Sequence, residues 1–267
     1  MSSTYSHLLS DSAALVGRHM THLKRTPQKI IAVTLMPIMF VVLFGYLFGS
    51  SMQVPQGNYH EYIMAGIFAQ MMLSSVINTG VGVAEDLNNG LVERFRSLPM
   101  VQLSVLVGRT VSDLVLNAIS CVAMIPVGFL IGWRLHANPF DVVAGFLLLM
   151  LLGYAMAWLG VLIGLALRDP QAVNSVAMVI TMPLAFLSAT FYPLGNLPGW
   201  LRTVAEWNPV TTVVTAMREL WGNPTGLGDD PAFPLRYPVP CALVLIGVLL
   251  AVVVPLANRA YRRATAQ

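Results

Sequence analysis

Val142-Val143-Ala144-Gly145-Phe146-Leu147-Leu148-Leu149-Met150-Leu151-Leu152-Gly153-Tyr154-Ala155-Met156-Ala157-Trp158-Leu159-Gly160-Val161-Leu162-Ile163-Gly164-Leu165-Ala166-Leu167 holds no charge and no proline. A bilayer crossing takes about 20 predominantly apolar residues, and this run exceeds that. A soluble protein would have to wrap such a helix on every side. The chain lacks the polar surface to do so: of 267 residues, 56% are hydrophobic and 10% charged, against about 25% charged in soluble domains. Outward from this run, further apolar stretches lie at Ile30–Phe48, Tyr62–Val83, Val105–Ile131, Val173–Thr190 and Pro240–Leu256. In hydrocarbon the backbone must satisfy its own hydrogen bonds, which makes each run a helix. The expected fold is all-α: a polytopic membrane protein with six transmembrane helices, forming a single domain over residues 1–267.

Lys and Arg orient the spans. Arg18, Lys24, Arg25 and Lys29 precede span 1. Arg94, Arg96 and Arg109 cluster between spans 2 and 3, Arg168 lies between spans 4 and 5, and Arg259, Arg262 and Arg263 follow span 6. The opposite side has only Arg134, Arg202, Arg218 and Arg236. The first set is therefore expected in the cytoplasm, together with both termini. The first apolar run follows a polar, basic segment, is too long for the core of a cleavable signal and has no small-residue cleavage site after it, so it reads as a span.

Three segments outside the spans have patterns of their own. In residues 8–25, Leu9, Ala13, Val16, Met20 and Leu23 recur at helical spacing, with Arg18, His22 and Arg25 on another face. This predicts an amphipathic helix in the headgroup layer, in contact with membrane lipids. In the loop 84–103, the turn Asn88-Asn89-Gly90 precedes a short helix with Leu91, Phe95 and Leu98 on one face and Glu93, Arg94 and Arg96 around it. Pro99 ends it. An apolar face turned toward the cytosol either meets a partner or folds back on the membrane. The external stretch 191–239 is rich in Pro and Trp and predicts two short amphipathic helices, Trp200 to Trp207 and Val210 to Trp221. They would form a re-entrant or interface-lying cap.

These segments, in this order, resemble the ABC-2 family of ATP-binding-cassette exporter permeases, of the daunorubicin-resistance type that exports drugs and lipids from bacteria. One motif is Glu85-Asp86-x-x-x-Gly90-Leu91-x-Glu93-Arg94, then Pro99 and Gly108-Arg109. The other is Phe191-x-Pro193-Leu194-x-x-Leu197-Pro198-x-Trp200-Leu201, then Asn208-Pro209 and Arg218. Asn88-Asn89 departs from the charged residues common in the family. The resemblance implies a permease in the bacterial cytoplasmic membrane. It would work with two separate ATPase subunits, which hold the ATP and Mg, and with a second permease copy or paralogue. Loop 84–103 would be the coupling helix, with Glu85, Asp86, Gly90, Leu91, Glu93, Arg94, Phe95 and Leu98 at the ATPase contact. Phe191, Pro193, Leu194, Pro198, Trp200, Asn208, Pro209 and Arg218 would belong to the external cap. The implied substrate is lipophilic or amphipathic (a drug, lipid or glycolipid), and a polysaccharide or lipid-linked glycan exporter shares the general fold.

The residues themselves exclude several classes. No phosphate-binding G-x-x-x-x-G-K-[ST] loop occurs, so ATP would be bound elsewhere. There is no metal-ligand cluster, no cofactor motif and no nucleophile–base set, which argues against a membrane-embedded enzyme. A net charge of +3 is too small for nucleic-acid binding. No mid-membrane Asp, Glu or His relay suits a proton-driven carrier; Asp113, four residues after Arg109, reads as its helical ion-pair partner. Cys121 and Cys241 read as apolar packing residues. Two polar stripes stand out: Gln70, Ser74 and Asn78 in span 2, with Ser75 and Thr79 beside them, and Asn174, Thr181 and Ser188 in span 5. Each either holds helices together or lines a translocation path. Gly45-x-x-x-Gly49, Gly128-x-x-x-Gly132 and Gly160-x-x-x-Gly164 fit close helix approach, within the chain or between two copies.

Overall fold

In the computed structural model the described residues are 27–49, 54, 57–89, 102–228 and 231–266. They form helices α1 (Pro27–Gly49), α2 (Tyr59–Leu73), α3 (Ser75–Asn88), α4 (Gln102–Ile131), α5 (Pro139–Leu167), α6 (Pro170–Phe186), α7 (Gly199–Glu206), α8 (Pro209–Trp221), α9 (Phe233–Arg236) and α10 (Pro238–Ala266). There is no strand among the described residues. The segment predicted as an interfacial helix, residues 8–25, lies outside them, as does most of the loop 84–103.

Among the described residues, four helical stretches are long and apolar enough to cross a membrane: Tyr59–Asn88 (α2 with α3), Leu106–Ile131, Pro139–Leu167 and Pro238–Arg262. Pro37–Leu47 and Pro170–Phe186 are shorter apolar helices. The most apolar of the long helices is the least covered. Pro238–Arg262 has mean hydropathy 2.8 with 17% of its core window buried, whereas Tyr59–Asn88 has 1.4 with 72% buried. A soluble protein would reverse that order; in lipid, the outer face is the apolar one. Leu130, Val179, Tyr46, Val122, Leu147 and Val244 accordingly sit on the outside.

The helix boundaries follow from caps. Asn58 accepts from the backbone N–H of His60 to start α2. Asp169 accepts from those of Gln171 and Ala172, with Pro170 in the first turn, to start α6. Asn208 and Pro209 do the same for α8. A side-chain acceptor followed by proline satisfies or removes the unpaired donors of a helix start. Gly222 closes α8 at φ 68°, where glycine fits without strain.

Helix α5 is the hub, packed against α2, α3, α4, α6, α8 and α10. Its closest partner is α3. A Cβ on Gly160 would lie 2.5 Å from the Val76 carbonyl oxygen and 3.0 Å from the Gly80 nitrogen, and one on Gly164 would lie 2.5 Å from the Gly80 oxygen. The two backbones touch, so this glycine pair acts within the chain. Gly45 meets the Ile131 side chain, Gly128 meets Met64 and Trp133, and Gly132 faces open space, so these three positions bring no backbones together.

One end of the bundle holds Arg109, Arg168, Arg259 and Arg262, and is called the basic end below. The other is the aromatic end, where Trp133, Trp221, Phe68 and Phe146 form one cluster with Trp133–Trp221 ring centroids 5.4 Å apart. Both indoles are satisfied, Trp133 by Asn223 Oδ1 at 2.9 Å and Trp221 by the Val142 carbonyl at 3.3 Å.

Candidate functional site

Between α3, α4 and α6, toward the basic end, the bundle opens into a cleft of about 550 Å³. Ser75, Asn78 and Glu85 line it from α3, Arg109, Asp113 and Asn117 from α4, and Gln171 and Asn174 from α6. Ile77, Val81, Leu116 and Pro170 supply apolar wall. Polar residues in a membrane bundle either pair with each other or face water, and here they do both.

The α3–α4 wall is an ordered ladder. Asn117 Nδ2 donates to Ser75 Oγ at 2.7 Å. Thr79 Oγ1 donates to Asp113 Oδ2 at 2.7 Å. Arg109 Nη1 donates to Asp86 Oδ2 at 2.7 Å, and Arg109 Nε lies 3.5 Å from Asp113 Oδ2. Ser75, Thr79, Gly82 and Asp86 fall on one face of α3, and Arg109, Asp113 and Asn117 on one face of α4. Because the helices run antiparallel, the rungs meet in order. Gly82 makes the last rung possible: a Cβ there would collide with Arg109 Nη2. The Arg109–Asp86 pair is partly exposed, at 20% and 41%, so screening limits it to about 1 kcal/mol or less. It fixes geometry more than stability.

Of the two predicted stripes, the cleft takes one member each, Asn78 and Asn174. Gln70 and Ser74 do not line it; the Ser74 hydroxyl donates to the Gln70 carbonyl at 3.1 Å. Thr181 is buried and bonds the Ala177 carbonyl, and Ser188 is buried and bonds the Ala185 carbonyl and Thr190. Within the span 5 stripe, Thr181 is buried inside the helix and Ser188 lies beyond its end at Phe186. Asn208 Nδ2 takes the carbonyls of Leu184 and Leu187 at 3.0 and 2.7 Å, and the chain turns there. Among the residues expected at an ATPase contact, Glu85 is exposed in the cleft and Asp86 pairs with Arg109. Gly90, Leu91, Glu93, Arg94, Phe95 and Leu98 lie outside the described residues.

The second polar construction is at the aromatic end. Arg218 of α8 is fully buried. Its guanidinium lies 3.4 Å from the Tyr62 ring centroid. Its Nε donates to the Tyr62 carbonyl at 3.0 Å, and Nη2 to the Ala189 carbonyl at 2.8 Å. The Tyr62 hydroxyl donates to the carbonyls of Ala189 and Tyr192, and Tyr59 to that of Phe191. Thr211 Oγ1 accepts from the Ala189 N–H at 3.1 Å. These groups satisfy the non-helical backbone after α6, which could not survive at membrane depth without partners. Tyr192 donates to the Phe186 carbonyl, and burial pushes its phenol above the ordinary value.

The residues expected in an external cap divide accordingly. Phe191 is buried and stacks on Phe44 at 5.0 Å, Leu194 is buried against Ala189 and Ala205, and Pro193 is half-buried. Pro198, Trp200 and Pro209 are exposed. Helix α7 carries Trp200 and Val204 outward, with Trp207 exposed just after it. Helix α8, read as part of a re-entrant or interface-lying cap, is buried from Val210 to Arg218. The polar residues of that stretch are three threonines, short enough to enter the bundle, and Arg218, held by the carbonyls named above; Glu219 after it is exposed. Sequence reasoning had noted Arg109–Asp113 but missed Asp86 across the helix pair, Asn117 and the Gly82 seat. The four-residue spacing of Arg109, Asp113 and Asn117 was the available signal. Among the described residues no cluster of His, Cys, Asp or Glu could hold a metal ion.

Comparison with known proteins is consistent in direction. The model of the ABC-2 type transporter family matches residues 12–220. The daunorubicin resistance ABC transporter permease protein DrrB1 of Streptomyces coeruleorubidus is 29% identical over 261 residues, 95% of this chain and 89% of its own length. The doxorubicin resistance ABC transporter permease protein DrrB of Mycobacterium tuberculosis is 25% identical over 214 residues, 80% of this chain and 74% of its own. The family match spans three of the four long apolar helices, the polar ladder and the Arg218 clamp, and covers most of the sequence: the chain belongs to the ABC-2 type transporter family.

Proposed function

We propose that the chain is the permease subunit of an ATP-driven exporter for lipophilic or amphipathic molecules, drugs among them. The observation that carries this reading is the cleft of about 550 Å³ with polar and apolar walls inside an otherwise apolar bundle. A cleft of that size suits a small molecule rather than an ion. The resistance named for the relatives agrees in substrate class. Energy comes from outside the chain: two ATPase subunits bind ATP and Mg and dock on loop 84–103, where Leu91, Phe95 and Leu98 offer an apolar face and Glu93 and Arg94 a charged rim. With α1 and α6 counted as spans the total is six, and in this reading both termini and the basic end face the cytoplasm of a bacterial cell, as the excess of Arg and Lys there favours, with a second permease copy or paralogue completing the path.

The test is expression of the chain with its ATPase in a doxorubicin-sensitive host. Cells should accumulate less doxorubicin, the ATPase should copurify with the chain, and Asn174→Trp, which fills the cleft, should restore accumulation. Accumulation unchanged by expression, or export undiminished by Asn174→Trp, would count against the reading.

A further inference from the structure

The ladder between α3 and α4 has a position that its weak energetics do not explain. Residues 90–101 connect these two helices, so Asp86 and Arg109 tie together the departure and return points of that loop. The tie is the rung nearest the loop, and the rungs behind it, Asp113–Thr79 and Asn117–Ser75, run on along the cleft wall. Direct packing between α3 and α4 is sparse beside that between α3 and α5. Side chains, not backbone contact, therefore carry a displacement from one to the other. Gly82 is the seat of the arrangement, since any side chain there displaces the guanidinium.

We propose that Arg109 is a positioning residue for coupling: through Asp86 and Asp113 it makes the two ends of loop 84–103 move as one unit with the cleft wall. This rests on the proposed function, in which that loop meets the ATPase. Arginine suits the role because its planar fork can reach two carboxylates at once, which a lysine ammonium does so less rigidly. The Arg109–Asp86 rung is partly exposed, so once broken it is rehydrated at little free-energy cost, while Ser75, Thr79 and Asn117 behind it are buried. Losing that rung therefore decouples without unfolding.

The experiment uses the whole complex in membranes, with Cys121 and Cys241 replaced and one cysteine introduced at Asn78, an exposed cleft position. Labelling by a charged methanethiosulfonate reagent is timed with and without MgATP. In the parent, MgATP changes the labelling rate. Gly82→Ala and Asp86→Asn each remove that change while the ATPase still copurifies, and Asp86→Glu keeps it. An MgATP effect that survives in both Gly82→Ala and Asp86→Asn overturns the role of Arg109 and leaves the proposed function standing. No MgATP effect in the parent, or no copurifying ATPase, overturns both. Loss of the effect together with loss of the ATPase in every variant, Asp86→Glu included, overturns the positioning role in favour of a purely structural one.

Discussion

Helix α3 meets α5 along one face and α4 along another, and the two contacts are made of different material. Against α5 the contact is backbone on backbone at Gly80, Gly160 and Gly164, with the Val83 side chain packed beside it. Against α4 it is a spaced row of polar side chains beside a cleft. Apolar association gains little in lipid, where the tails are as apolar as leucine, so close packing supplies the attraction. A glycine contact is dry and has no second arrangement of similar energy. A polar rung beside water can exchange one partner for another. One helix can thus be fixed on one side and responsive on the other. The Arg218 clamp is a third case, polar but dry, and it isolates the effect of water from that of polarity.

Arg218→Leu should have the largest effect. It strips one donor each from the buried carbonyls of Tyr62 and Ala189, of which Ala189 keeps the Tyr62 hydroxyl, and a hydrogen bond from a charged group is worth about 1.5–3 kcal/mol. The melting temperature of the purified protein should fall by many degrees; a fall no larger than that of a ladder variant would erase the distinction between dry and wet polar contacts. Gly160→Ala comes next. Its Cβ would sit 2.5 Å from the Val76 oxygen, and such overpacking costs about 1–3 kcal/mol. An unchanged melting temperature would mean that α3 and α5 separate more easily than their backbones indicate. Asn117→Ala removes one neutral hydrogen bond to the buried Ser75 hydroxyl in the cleft wall and should cost about 1 kcal/mol. Smallest is the response to salt. Raising ionic strength should weaken the exposed Arg109–Asp86 pair and leave the melting temperature of the Gly160→Ala variant displaced by the same amount as at low salt.

Much of the fold was legible because membrane helices announce themselves by length and missing charge: α4, α5 and α10 contain the apolar runs read for them. The pattern from Val210 to Trp221 gave α8, and the Asn208-Pro209 pair before it is the cap that starts it. The end of α6 was not legible, because hydropathy continues through Leu187 and Ala189 while the helix stops under the pull of Asn208 and Arg218, which lie far along the chain. For the same reason Thr181 and Ser188 looked like companions of Asn174, although both serve local backbone carbonyls. Spacing tells which residues share a helical face but not which face meets a cleft. Arg218 shows the same limit from the other side: an arginine in a loop-rich region reads as surface, and only the carbonyls of Tyr62 and Ala189 and the Tyr62 ring explain its burial.

The most direct test of the account compares stability and transport in one preparation of the Gly82→Ala complex, reconstituted in inverted vesicles and supplied with MgATP and doxorubicin. Alanine gains up to about 1 kcal/mol of helix propensity over glycine, which offsets the displaced Arg109. The account predicts a melting temperature close to that of the parent together with loss of ATP-driven doxorubicin uptake. Full uptake, or a loss of uptake that only tracks a fall in melting temperature, would contradict it.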